Sequence, residues 1–354
     1  MRMTIGGRAV GGDAPLFVVA EIGLNHGGSV DEALALVDAA AEAGASAVKL
    51  QSLRGETLVV PSCPPPAHVS CDSLQAFFHT FELDADAHRA VQRRAAERGL
   101  VFMSTPFDED AVAMLEEVKC DAYKIASGDV THHRLIARAA ATGKPLIIST
   151  GMSELEEVAA ALDCARTAGA RDIALLHCVS SYPVPFASQN LRAIATLARE
   201  FRVPVGLSDH GTEALDVALA VALGACIYEK HIVTGPNSHA IDAAVSATPR
   251  QLETLIGLAA RARLSLGDGQ RTCSAAELPN RVQSRRGLYA KRALKYGHVI
   301  TADDVMALRP ASGLGAQYHN GLVGSRVVRN IEAGESFLET DVAERSGRGG
   351  RDAA

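Results

Sequence analysis

LFVVAEIGLNHGGSVDEALALVDAAAEAGASAVKLQ, residues 16–51, holds the unit from which the fold is read. An apolar run of strand length ends in Glu21, the pattern Ser29-x-x-Glu32 opens an Ala/Leu-rich stretch with helical periodicity, and a second apolar run ends in Lys49-Leu50-Gln51. The same rhythm returns at LVFMSTP (100–106), AYKIAS (122–127), PLIIST (145–150), IALLHC (173–178), PVGLSD (204–209) and IYEKHI (227–232). Strands alternating with helices specify βαβ units and a parallel sheet. Eight of them predict an α/β fold, a closed (β/α)8 TIM barrel. The catalytic face of that architecture lies at the C-terminal strand ends, so Glu21, Lys49, Thr105, Lys124, Ser149, His177, Ser208, His210 and His231 are expected to converge on one mouth.

Composition narrows the function classes. The formal net charge is −6 and no basic block is interleaved with aromatics, which argues against a nucleic-acid partner. No apolar run is long enough for a membrane span, and Glu21 interrupts the first apolar segment, so no export signal is read. The seven cysteines are odd in number and scattered, without C-x-x-C spacing. Reduced thiols in a cytoplasmic protein are the expectation.

A barrel needs about 250 residues, which leaves room for a second module. The predicted barrel domain runs over 1–267 and closes with the helix TPRQLETLIGLAARARLSLG (248–267). A linker (268–285) containing Arg281 and Arg285, next to Arg286, leads to a small module of short strands and turns (286–345). LKYGHVITADDV (294–305) and IEAGESFLETDV (331–342) form an internal repeat, with Leu294, Gly297, Ile300, Asp304 and Val305 laid on Ile331, Gly334, Phe337, Asp341 and Val342. The tail, 346–354, reads as disordered. Inside the barrel, PSCPPPAHVSCDS (61–73) reads as a loop over the mouth, followed by an apolar helix around SLQAFFHTFEL (73–83). Ser153-x-x-Glu156 is a second capping pattern placing a helix N-terminus at the mouth.

Lys49 and Lys124 sit inside apolar strands. Two buried lysines aimed into one barrel imply an anion between them or a salt bridge to a local acid such as Glu21. Hydroxyls at Thr105, Ser127, Ser149 and Ser208 would complete a cradle for a small phosphate or carboxylate. His210 and His231 end adjacent strands, which lie about 4.8 Å apart, so they read either as a pair sharing a divalent ion such as Mn²⁺ or as a hydrogen-bonded, general-base pair. His177 is either a mouth residue or a satisfied core histidine. Glu21, read as the only acid at its level, is a base or a counter-ion for the lysines. Asp129 and Asp242, in loops after the fourth and eighth strands, suit sugar hydroxyls or solvent.

The strings AEIGLNHGG (20–28), VKLQ (48–51), FMSTPF (102–107), YKIASGD (123–129), STGM (149–152), LHC and YP (176–183), GLSDH (206–210), EKH (229–231) and LRPASGLG (308–315) make the chain resemble the sialic acid synthases over residues 4–345. That resemblance implies condensation of phosphoenolpyruvate with the open-chain aldehyde of an N-acetylated hexosamine, giving a nine-carbon α-keto sugar acid and phosphate. It implies phosphoenolpyruvate on Lys49, Thr105, Lys124, Ser127, Ser149 and Ser208, and a metal on His210 and His231, Mn²⁺ with Mg²⁺ or Co²⁺ as alternatives. Glu21, Gln51, Asp129, Tyr182 and Asp242 would face the sugar, Glu21 also activating water. The module resembles the antifreeze-like (SAF) domain of these synthases, which caps the partner's site in a domain-swapped homodimer, with Arg309 reaching the sugar's N-acetyl group. Three departures leave the acceptor open between N-acetylmannosamine, its deoxy diacetamido relatives and a spore-coat-type sugar: Ser180 where Asn is common, Asp129 where Glu is frequent, and His68 near the place of a sugar-binding Asn. The rival readings are a phosphoenolpyruvate-dependent synthase acting on a phosphorylated aldose and a non-catalytic carbohydrate-binding protein.

Overall fold

The computed structural model describes residues 1–64 and 71–343. His68 and the tail 346–354 lie outside the described residues. The chain divides into two units, Met1–Asp268 and Gly269–Ala354.

The first unit opens with a feature not expected from its sequence, an antiparallel hairpin of β1 (Arg2–Ile5) and β2 (Arg8–Gly11). Gly6 and Gly7 form its two-residue turn at φ 53° and 78°, a pair of positive angles that L side chains resist. Eight parallel strands follow: β3 (Phe17–Gly23), β4 (Ala47–Ser52), β5 (Val101–Pro106), β6 (Ala122–Ile125), β7 (Leu146–Ser149), β8 (Ile173–Cys178), β9 (Val205–Asp209) and β10 (Ile227–His231). They pair in chain order, and β10 closes on β3, so the expected (β/α)8 barrel is present.

Period-two alternation splits each strand between two cores. Val18, Ile22, Leu50, Phe102, Ile125 and Tyr228 pack outward against the helices. Phe17, Val19, Met103, Ile147, Leu176 and Ile227 fill the barrel, and Met3, Ile5 and Val10 of the hairpin join that inner cluster, plugging the N-terminal end. At the opposite end the inward positions turn polar, which is what leaves a site there.

Helix starts follow their caps. Ser29 accepts from the Glu32 amide and starts Val30–Glu42. The second capping pattern is shifted by one residue: Glu154, not Ser153, caps Leu155–Thr167, paired reciprocally with Glu157, because the Ser153 hydroxyl donates to the Gly151 carbonyl. The helix Pro249–Leu266 starts at the Thr248–Gln251 box and stops at Gly267. The apolar segment 73–83 yields only a short helix, Leu74–His79, and the helix covering β4 and β5 is Ala85–Glu97.

In the second unit the expected linker contains a helix, Leu278–Ser284, preceded by a Ser274–Glu277 capping box. Four short strands follow, β11 (Gly287–Ala290) paired with β12 (Val305–Leu308), and β13 (Arg326–Val327) paired with β14 (Val342–Ala343). The internal repeat is a real pseudo-dyad. Leu294 and Ile331, equivalent in the two copies, bridge each other through reciprocal backbone bonds of 2.8 and 2.9 Å. Each copy also buries its aspartate under an arginine twelve residues earlier: Arg292 Nε donates to Asp304 at 2.7 Å and Arg329 Nε to Asp341 at 2.6 Å. Leu288, Ile300, Val327 and Phe337 fill the core between the copies.

Candidate active site

The mouth of the barrel opens on a cavity of about 480 Å³. Glu21, Lys49, Gln51, Thr105, Lys124, Ser127, Ser149, Tyr182, Ser208, His210 and His231 all line it, so the strand-end reading brings these together. His177 is a correction. Alternation turns its ring outward, where Nε2 lies 2.7 Å from the Gln189 carbonyl, and Cys178 takes the inward place.

Both lysines are buried and neither faces a bare cavity. Lys49 Nζ lies 2.7 Å from Glu21 Oε2 and donates to Thr105 Oγ1 at 3.1 Å. Glu229, a residue the sequence reading passed over, reaches up between the lysines, its carboxylate 3.8 Å from Lys49 Nζ and 3.7 Å from Lys124 Nζ. Ser208 donates to it at 3.0 Å. Glu21 is therefore not the only acid here. Glu229 springs from the level of Val19, one inward step below Glu21, and its longer reach carries the charge upward. The signal was in EKH: if His231 faces inward, period two sends Glu229 inward and Lys230 out, where it pairs with Asp209 at 3.1 Å.

Burial and charge set the protonation states. Burial, reinforced by Glu229 and opposed by Lys49, raises the Glu21 pKa to about 7. Against burial, Lys124 and Lys49 hold Glu229 below its ordinary value. Burial pulls Lys124 down despite Glu229, whereas Glu21 and Glu229 outweigh burial at Lys49 and raise it. Buried Oε2 of Glu229 and Oγ of Ser149 have no hydrogen-bond partner, so two polar atoms of the cradle remain to be satisfied.

The His210 and His231 rings lie 5.6 Å apart, with Tyr182 packed on His210 at 4.1 Å. Burial and the nearby cations drive the His231 pKa well below its ordinary value, so that ring is neutral, and its Nδ1 has no hydrogen-bond partner. Asp242 Oδ2 stands 3.4 Å from that nitrogen. His210 Nδ1 lies 3.0 Å from the Val179 carbonyl and 3.8 Å from the Cys178 thiol, an arrangement that places the proton on Nδ1 and the free lone pair on Nε2. Burial works against it, but the Cys178 thiol and the Val179 carbonyl raise the His210 pKa, so His210 would give up a proton on binding a borderline divalent ion, whereas His231 is already neutral. Among the described residues no group of three or more His, Cys, Asp or Glu side chains has metal-binding geometry, so an ion here would take its remaining ligands from water or substrate.

Asp129 lies half-buried in the turn Ser127–Asp129 after β6, outside the lining of the cavity, its pKa raised by burial. Burial also raises Asp242. Arg309 is an exposed residue of the second unit. All seven cysteines are free thiols, and no helix among the described residues is long and apolar enough to cross a membrane.

Residues 36–271 match the NeuB family model. The chain belongs to the NeuB family. A SAF domain model matches residues 285–343 of this NeuB-family chain. It is 36% identical over 341 residues to an N,N'-diacetyllegionaminic acid synthase of Legionella pneumophila, covering 93% of this chain and 95% of the relative. A pseudaminic acid synthase of Campylobacter jejuni is 30% identical over 334 residues, covering 93% of this chain and 97% of the relative. Among solved structures, an N-acetylneuraminic acid synthetase of Leptospira borgpetersenii, in complex with citrate, superposes with a TM-score of 0.73 at 33% identity, covering 79% of this NeuB-family chain and 95% of that one. The fold class and the family resemblance read from the sequence are therefore both found. The relatives are named as synthases of three different acids, N,N'-diacetyllegionaminic, pseudaminic and N-acetylneuraminic acid.

Proposed function

We propose that this protein is a transferase that condenses phosphoenolpyruvate with the open-chain aldehyde of an N-acylated hexosamine, releasing phosphate and a nine-carbon α-keto sugar acid. The observation that carries this reading is the pair of buried ammonium groups of Lys49 and Lys124, bridged by Glu229, opening onto the mouth cavity beside unsatisfied Ser149 Oγ. A di-anionic enol phosphate meets two cations and the hydroxyls of Thr105, Ser127, Ser149 and Ser208 there. The printed products of the relatives, legionaminic, pseudaminic and N-acetylneuraminic acids, support a sugar acceptor.

In the reaction, C3 of phosphoenolpyruvate forms a bond to the aldehyde carbon, and the aldehyde oxygen gains a proton. Water then adds at C2, and loss of inorganic phosphate leaves the keto group. Glu21, with its raised pKa and its Lys49 contact, is placed to take the proton of that water. The lysines balance the phosphate and carboxylate charge. Gln51, Tyr182 and Asp242, which stands 3.4 Å from His231, are the residues we assign to the sugar, whereas Asp129, outside the lining, is left to the rim. His210 and His231 would hold a divalent ion, Mn²⁺ with Mg²⁺ or Co²⁺ as alternatives, which when bound supplies Lewis acidity toward the aldehyde oxygen. Arg309 is assigned to the acceptor bound on the barrel of a second copy, in a homodimer. A phosphorylated aldose is disfavoured, because among the described residues Lys49 and Lys124 are the only lysine or arginine side chains lining the cavity and both already face carboxylates.

The deciding experiment measures phosphate release from phosphoenolpyruvate over a panel of N-acylated hexosamines, with Mn²⁺ and in excess chelator. Release that requires both sugar and metal is expected. Absence of release with every sugar would overturn the reading, and full activity in chelator would remove the metal from it.

A further inference from the structure

The two histidines at the mouth are not anchored alike. His231 is the last residue of β10 and pairs in register with Glu21 on β3. β9 ends at Asp209, and its ladder with β10 runs from the Leu207–Tyr228 pair to the Asp209–Lys230 pair, so His210 is the first residue past it. A histidine beyond the ladder needs another anchor, and a buried lysine on the neighbouring strand supplies one. Lys230 precedes His231, and period two turns it to the outer face of the barrel. There its three protons meet three acceptors: the Asp209 carbonyl at 3.2 Å, Asp209 Oδ2 at 3.1 Å and the Gly211 carbonyl. One ammonium group thus grips the residues on both sides of His210.

The Asp209 carboxylate tightens the same turn. Its Oδ2 accepts from the Tyr228 hydroxyl at 2.6 Å and its Oδ1 from the Gly211 amide at 2.7 Å. Lys230, Asp209 and Tyr228 are all buried, and a Cβ at Gly211 would lie 2.4 Å from Asp216 Oδ2, so the turn is pressed between the clamp and a second carboxylate. The Val179 carbonyl holds the His210 ring at 3.0 Å, while the clamp holds the backbone from which that ring hangs. Well-packed apolar residues would stabilise the fold as well as a buried ion pair does, so the worth of these charges lies in the geometry they fix.

We propose that Lys230 is the positioning residue of the histidine pair: by clamping Asp209 and Gly211 from outside the barrel it sets where His210 stands relative to His231, and with that the affinity of the pair for a divalent ion. This rests on the reading of His210 and His231 as metal ligands. Lys230 touches neither ion nor substrate. With the clamp released, His210 has to be ordered at the moment of binding, and that ordering is taken out of the affinity.

The test titrates Co²⁺ into the full-length protein, with visible absorption and calorimetry giving Kd and the number of sites. Lys230→Met should weaken Co²⁺ roughly ten- to a hundredfold, the usual effect of removing a group that orients a metal-bound histidine. It also leaves Asp209 buried and unpaired, so Tm should fall. The double variant Lys230→Met, Asp209→Asn separates the two effects. Its amide can still accept from the Gly211 amide and exchange a hydrogen bond with Tyr228, so Tm should return toward the unmutated value while Co²⁺ binding stays weak. Phosphoenolpyruvate affinity without metal should be unchanged in both. The number of sites reports the folded fraction and Kd reports the site, so partial unfolding does not imitate the result. Co²⁺ bound by either folded variant as tightly as by the unmutated protein, or phosphoenolpyruvate weakened as much as Co²⁺, overturns the positioning role and leaves the metal reading standing. No Co²⁺ binding by the unmutated protein overturns both.

Discussion

Glu229 shows how one side chain changes the meaning of its neighbours. Without it, Lys49 would keep Glu21 at 2.7 Å but Lys124 would lose the carboxylate 3.7 Å from its ammonium group; with it, each cation has a carboxylate within reach before any substrate arrives. The arriving anion therefore competes with an internal one, and removing a cation should be felt by the anionic substrate first. Lys124→Ala is expected to cost about 1.5–3 kcal/mol of phosphoenolpyruvate recognition, one to two orders of magnitude in kcat/KM for that substrate, with a much smaller change for the sugar. Initial-rate measurements varying each substrate in turn check this. The same carboxylate sets an acid limb. Glu21 acts when ionised and its pKa is raised to about 7, so kcat/KM should fall roughly tenfold per unit as pH drops below that value. Glu229 is one of the charges that raise it, so Glu229→Gln should move the limb toward lower pH; a limb that stayed fixed would separate the two groups. The lysines, hydroxyls and histidines were legible because a polar residue inside an apolar strand is costly and conspicuous. Glu229 was not, since the neighbouring histidine drew the reading of its string and only strict alternation along β10 reveals which way it faces.

At the scale of elements, alternation and caps carried most of the architecture, and the misses have local causes. The β1–β2 hairpin is only four residues a side, too short for its alternation to stand out, although Gly6-Gly7 between Ile5 and Arg8 is a turn signature. The Ser153 cap slipped by one residue because Glu154 and Glu157 satisfy each other's amides. The repeat of the second unit was visible as spacing, but spacing does not say that Leu294 and Ile331 pair with each other; the dyad is a tertiary fact. It predicts equivalent weak points. Asp304 is held below its ordinary value of 3.8: burial works against this, but His298, Thr301 and Arg292 outweigh it. A carboxylate depressed in the folded state adds stability that is present above the unfolded value and lost as pH falls through the folded one. The second unit should accordingly weaken on acidification below about pH 4, and Asp304→Asn should cost it about 1–3 kcal/mol at neutral pH, read by calorimetry of the full chain. Asp341→Asn, the dyad mate, should carry a similar stability cost at neutral pH, since Arg329 grips it as Arg292 grips Asp304.

For the whole molecule, the assignment of Arg309 to a second copy's acceptor has a stoichiometric signature. Lys49→Ala and Arg309→Ala should each be nearly inactive. Random exchange makes about half of the dimers hybrid, and in a reciprocally capped pair each hybrid holds one intact site, so the mixture should recover about a quarter of the unmutated rate. Failure to recover after verified exchange would return Arg309 to its own barrel or remove it from the site. The hairpin plug bears on a different matter, the traffic of molecules. With Met3, Ile5 and Val10 closing the bottom and Val19, Met103, Ile147 and Leu176 stacked above them, the barrel is a blind well with a single doorway. The ammonium groups of Lys49 and Lys124 are buried where the mouth cavity meets that packed interior, so under the proposed reaction a sugar that settled first would bar the way to them. Under the proposed reaction the expected order of entry is enol phosphate before aldehyde, a queue that follows from three apolar hairpin residues stopping the end of the barrel opposite its chemistry.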